Sequence, residues 1–246
     1  MTFNVPTSRG IFGYGCGALA GLVSALVLAF ALAHSGSVLV LVAYVASVPL
    51  FMVGFGAGIG PGIFAALCGA AGLLIASPPS FCSFYLIADA LPSAGLIILA
   101  MRHRISLDGK LTWPAEGNML AGLVIYPCLL FLGIYAATSG HEGGLLAMTS
   151  DAFEGMAGQV ATTLSENGQS VTPEVTIKIH QYLDAVARMA PALAMCAWLF
   201  STLIAMILAQ TVVQQQGWNL RPSFVLTHLH VPSWIIFAAA TTGVVA

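Results

Sequence analysis

Asp89 is the residue in this chain whose type and position could do chemistry. It lies in the apolar run 81–101 and is the only Asp, Glu, Lys or Arg deep inside any such run. An acid at the centre of a membrane span costs about 2.5–3.5 kcal/mol to insert, so it is expected to face a cavity or a partner. Pro92, three residues on, has no N–H for the Ala88 carbonyl, which places unpaired backbone polarity beside the carboxyl. Tyr85 and Ser93 stand four residues to either side and would share the Asp89 face of a regular helix. A polar stripe of Tyr85, Asp89 and Ser93 suits solute or proton binding. The same stripe could hold a protonated or hydrogen-bonded acid that only pins helices together, and the residues alone leave both readings open.

Other chemistry is harder to build. His228-Leu229-His230 is a single HxH with no Cys, Asp or Glu nearby, so no metal is expected there. His34, His103, His141 and His180 are isolated and read as solvated polar groups. The five cysteines (Cys16, Cys68, Cys82, Cys128, Cys196) stand singly in apolar segments, with no CxxC pair. They read as small packing residues, and neither a disulfide framework nor a zinc site is expected. No HExxH, GxSxG or P-loop pattern occurs, so neither an enzyme nor a bound cofactor is expected. The stretch Gly54-Phe55-Gly56-Ala57-Gly58-Ile59-Gly60-Pro61-Gly62 resembles a phosphate-binding loop but lacks the GxGxxG spacing and reads as a tight connection between helices.

The elements around Asp89 follow from composition. The chain is 59% hydrophobic and only 7% charged, with a mean hydropathy of +0.94. A soluble domain carries about 25% charged residues. So few charges cannot cover a water-facing surface, and the expected main partner is the lipid bilayer. A net charge of −2 gives no reason to expect nucleic acid.

The apolar runs predict spans at about 11–33, 38–53, 60–76, 81–101, 118–138 and 191–213, with a partial one at 232–246. Ala31-Leu32-Ala33 resembles a signal-peptidase site, but the run before it exceeds the usual h-region of about 7–15 residues and reads as a retained first helix. Ser77-Pro78-Pro79-Ser80 ends the third span. Gly13, Gly17, Gly21 and Ala25 recur every four residues and form a small-residue ridge for close helix packing, either within the chain or with another membrane protein. Residues 139–190 hold six acids against two bases. Phe153, Met156, Val160 and Leu164, then Val175, Ile179, Tyr182, Leu183 and Val186, keep helical spacing on either side of Asn167-Gly168. The expected fold is therefore an all-α polytopic transmembrane helix bundle, with six full spans, a truncated seventh and an amphipathic helical hairpin on the outer side.

Orientation comes from the bases. Arg102, Arg104 and Lys110 share one short loop, and Arg9 and Arg221 fall on the same side, against Lys178 and Arg188 on the other. Five against two places the amino terminus and the 102–110 loop in the cytoplasm.

Two stretches resemble a known family. One is Asp108-Gly109-Lys110-Leu111-Thr112-Trp113-Pro114-Ala115-Glu116-Gly117. The other runs from Met189-Ala190-Pro191 through Gln210 and Asn219-Leu220-Arg221-Pro222 to Val231-Pro232-Ser233-Trp234. Both resemble the YybS-like family of bacterial membrane proteins, a domain of unknown function, over nearly the whole chain; Trp113-Pro114 stands where that family usually has Trp-Tyr-Pro. The family is loosely grouped with the substrate-binding S components of energy-coupling-factor transporters. The resemblance implies a bacterial inner-membrane protein that continues past this chain's last residue. It also implies a solute-binding or transport-accessory subunit whose first-helix ridge meets a membrane scaffold. The alternative is an envelope scaffold or assembly protein that binds other membrane proteins and no solute.

Overall fold

A computed structural model of the protein describes residues 10–33, 43, 45–105, 111–114, 116–140 and 173–222, with a few isolated positions between 144 and 153. Five helices among them are long and apolar enough to cross a membrane: Gly10–Ala33, Ile59–Ala76, Pro79–Met101, Gly117–Thr138 and Ile177–Gln215. Large apolar side chains such as Ile11 (93% exposed) and Ile75 (88% exposed) stand outward on them, which suits a lipid surround and would be costly in water. Packing divides the chain into two compact units, Met1–Tyr126 with Phe200–Ala246, and Pro127–Leu199.

In the first unit, α1 (Gly10–Ala33) buries Gly13, Gly17, Gly21, Ser24, Ala25 and Leu28. This is the expected ridge, and at Gly17 and Gly21 it lies against α3 (Ile59–Ala76) of the same chain, the most extensive helix pair among the described residues. A Cβ added at Gly17 would lie 2.8 Å from the Pro61 carbonyl oxygen, and one at Gly21 3.0 Å from the Gly69 nitrogen. The backbones meet because neither position carries a side chain. A partner protein on this ridge, which the sequence and the family resemblance both allowed, would have to displace α3. The ridge is an internal seam.

Helix α2 (Val48–Ala57) follows. Most of the first half of the expected second span, 38–47, lies outside the described residues. The helix runs on past the expected end at Val53 and into the glycine stretch, so the connection to α3 shrinks to Gly58 at φ +103°. Only glycine adopts that conformation readily. The break leaves the Phe55 carbonyl without its helical donor, and the Leu220 N–H takes that place at 3.1 Å. Gly54 and Gly62 approach each other closely and both meet the fully buried Ile97, whose side chain occupies the space a Cβ at Gly54 would need.

Ser77, extended at φ −139°, stops α3 just ahead of Pro78, as the sequence predicts. The fourth span consists of α4 (Pro79–Tyr85), a π turn (Leu86–Ala90) and α5 (Leu91–Met101). The charged loop then closes on itself: Arg104–Ile105 (β1) and Leu111–Thr112 (β2) pair antiparallel. This is the base of a β-hairpin, which the reading of that stretch as a plain loop did not include. The fifth span is α6 (Glu116–Thr138), uninterrupted by Pro127.

The last described helix corrects the expected boundaries. A surface helix near 174–188 and a separate span from 191 are instead one helix, α7 (Pro173–Gln215), with Pro191 inside it. Proline removes a single N–H, which a membrane helix tolerates, and between Asp184 and Pro191 there is no glycine or asparagine to redirect the chain. Within the second unit, Arg188 pairs with Asp184 one turn earlier at 2.7 Å, both side chains half or more exposed. The first arm of the expected outer hairpin and the partial span 232–246 fall outside the described residues, isolated positions aside.

Candidate functional site

The π turn determines where Asp89 sits. The Leu91 N–H reaches back five residues to the Leu86 carbonyl. The next carbonyl, that of Ile87, then faces Pro92, which has no N–H to give. From α6, the Tyr126 hydroxyl donates to the Ile87 oxygen at 2.6 Å. The backbone deficit that Pro92 implies is therefore met at Ile87, one residue before the Ala88 carbonyl that regular helix geometry singles out.

The extra residue in the turn also rotates the side chains. Tyr85 and Ser93 are buried, at 0% and 1% exposure, but the buried position between them belongs to Ala90 at 2%. Asp89 moves to the flank and is half-buried. The structure thus places Tyr85 and Ser93 on one inward face and sets Asp89 beside that face. Among the described residues the Asp89 carboxyl makes no hydrogen bond or ion pair.

Two hydroxyls lie deeper. Ser24 of α1 and Tyr85 are both fully buried, and their hydroxyls are adjacent. The Tyr85 hydroxyl rests over Gly69, where any side chain would collide with it. Sequence reading passed over Ser24, although it lies three residues after Gly21 on the buried side of α1. Nothing local marks Tyr126 as the donor to a helix 39 residues earlier.

The residues expected to set topology behave differently from one another. Arg102 is exposed. Arg104 is described through its backbone pairing with Thr112, and Lys110 lies outside the described residues. Arg221 is buried at 5% exposure. Its guanidinium donates to the carbonyls of Ala100 at 3.1 Å and Pro114 at 3.0 Å, and touches the Met119 sulfur at 2.7 Å. The connector carrying it is a built structure. Gly217 at φ +66° and the bond from Trp218 N–H to the Val213 carbonyl cap α7. Gln210 donates to the Pro222 carbonyl and Asn219 to the Arg221 carbonyl.

A half-open apolar pocket of about 210 Å³ lies between α1 and α2, lined also by Val213 and Trp218. Its lining, which includes Phe12, Cys16, Met52 and Val53, carries no charged side chain and none of the Asp89 group. What a half-buried carboxyl beside the Tyr85–Ser93 face can do chemically is exchange a proton or hold a small cation. No protein-family model matches the chain, and no curated protein or solved structure matches it either.

Proposed function

We propose that the chain is a multi-pass protein of the bacterial inner membrane, with its amino terminus in the cytoplasm, that binds a proton or a small cationic solute at Asp89. It would serve as a solute-binding or transport-accessory subunit of the kind the YybS-like, S-component-like resemblance implies. One observation carries the reading. Asp89 sits in the middle of a span, half-buried, with no hydrogen bond or ion pair among the described residues. An ionised carboxylate at that depth needs a positive partner, and an unionised one needs a proton. The five-to-two distribution of bases supports the orientation. The scaffold alternative has less support, because the ridge it would use lies against α3.

Native mass spectra and thermal melts of Asp89→Asn and Asp89→Leu test the reading. The amide keeps size and hydrogen bonding but cannot ionise. Asp89→Asn is expected to retain the melting temperature and lose a small-molecule adduct present in the wild type. An adduct unchanged in Asp89→Asn, or a wild type with none and a destabilised Asp89→Leu, would leave Asp89 as a structural acid.

A further inference from the structure

We infer that Tyr126 is the positioning residue of the Asp89 site: its hydroxyl on the Ile87 carbonyl holds the π register that keeps the Asp89 carboxyl off the Tyr85–Ser93 face. The inference rests on the reading of Asp89 as an acid that exchanges a proton or cation.

Pro92 makes the segment bistable. In an α register the Leu91 N–H would pair with the Ile87 carbonyl, and the carbonyl left opposite Pro92 would be that of Ala88. In the π register the Leu91 N–H pairs with Leu86, and the carbonyl opposite Pro92 is that of Ile87. Each register sets one carbonyl opposite a proline that cannot donate to it. The 2.6 Å bond from Tyr126 serves the Ile87 carbonyl and so favours the π register. The choice moves Asp89. In the π register Ala90 fills the buried position between Tyr85 and Ser93. In the α register residues 85, 89 and 93 line up at four-residue spacing, and the carboxyl turns onto the face that holds the buried Tyr85 hydroxyl, with that of Ser24 beside it. Tyr126 does not touch Asp89 in this account; it acts through the backbone.

The probe is dicyclohexylcarbodiimide, an apolar reagent that adds to protonated carboxyls from within a bilayer. The full chain in liposomes is treated, the adduct at Asp89 is located by peptide mass spectrometry, and Asp89→Asn serves as the blank. Wild type is expected to label at Asp89. Tyr126→Phe is expected to label roughly five- to tenfold more slowly, the shift in population that one net hydrogen bond can supply, and its pH–labelling profile should move as well. Pro92→Ala restores the N–H that lets the α register close completely, so it should slow labelling even if Tyr126→Phe does not fold. Wild-type rates and profiles in both variants would overturn the latch and leave the reading of Asp89 standing. No labelling of Asp89 in the wild type would overturn that reading, and the latch with it.

Discussion

The Arg221 guanidinium donates to the Ala100 carbonyl 3.1 Å away, at the C-terminal end of α5 and 121 positions earlier in the chain. The last carbonyls of a helix have no intrahelical donor, and the negative end of the helix dipole favours a cation there. With its second bond to Pro114, one side chain joins the end of the fourth span, the hairpin exit and the connector after α7. Arg221→Leu is expected to lower stability by about 2–4 kcal/mol, since it leaves buried carbonyls without donors. Arg221→Lys should recover only part of that, because an ammonium lacks the planar fork that reaches two carbonyls at once. Thermal melts in detergent check both; a neutral Arg221→Leu would reduce the residue to a loop charge.

The seam between α1 and α3 predicts opposite effects at two glycines of one helix. Gly21→Ala would bring a Cβ to 2.8 Å from the Ala65 carbonyl carbon, backbone that cannot step aside. A loss of about 1–3 kcal/mol is expected, the usual cost of overpacking. Gly15, six residues earlier, has nothing within 4 Å of its Cβ position. Gly15→Ala should be neutral or gain up to about 1 kcal/mol from helix propensity. Melting temperatures of the pair separate a packed seam from a generally glycine-tolerant helix.

The parts of this fold that were legible in the sequence are those that depend on neighbours in the chain. The ridge from Gly13 to Ala25 and the stop at Ser77-Pro78 follow from spacing and from what proline cannot do, and both are present. What escaped depends on groups remote in sequence. The register of the Asp89 turn is decided by a hydroxyl on another span, so a four-residue rule placed Asp89 where Ala90 sits. Counting bases treats Arg221 as a solvated loop charge and cannot see that the connector folds it inward onto Ala100. Pro191 marks no boundary, because a membrane helix tolerates the one N–H a proline removes, and the helix runs through it.

At Gly58 the cost of a side chain is conformational alone. Its φ of +103° with ψ of −177° lies in a region essentially reserved for glycine, while its Cβ position meets only Leu220 Cδ1 at an ordinary 3.7 Å. Gly58→Ala is therefore expected to cost about 1–3 kcal/mol. Leu220→Ala, which keeps the N–H on the Phe55 carbonyl, should cost less. A Gly58→Ala melt equal to wild type would mean that the break between α2 and α3 does not depend on this glycine.

The last prediction concerns which way the chain faces. Thr112, at the base of the hairpin, and Ser139, just past the far end of α6, are both exposed and are separated by one apolar helix long enough to cross a membrane. Short loops rich in Lys and Arg stay in the cytoplasm, and the hairpin loop carries Arg102, Arg104 and Lys110. Each of the five native cysteines is first replaced by alanine or serine, and Thr112→Cys or Ser139→Cys is then introduced singly. In intact spheroplasts an impermeant thiol reagent is expected to label the cysteine at 139 and to reach that at 112 only after lysis. Labelling at 112 and protection at 139 would invert the protein, and the reading of residues 139–190 as the outer segment would fall with it. Equal labelling of both before lysis would show that α6 does not cross the membrane at all.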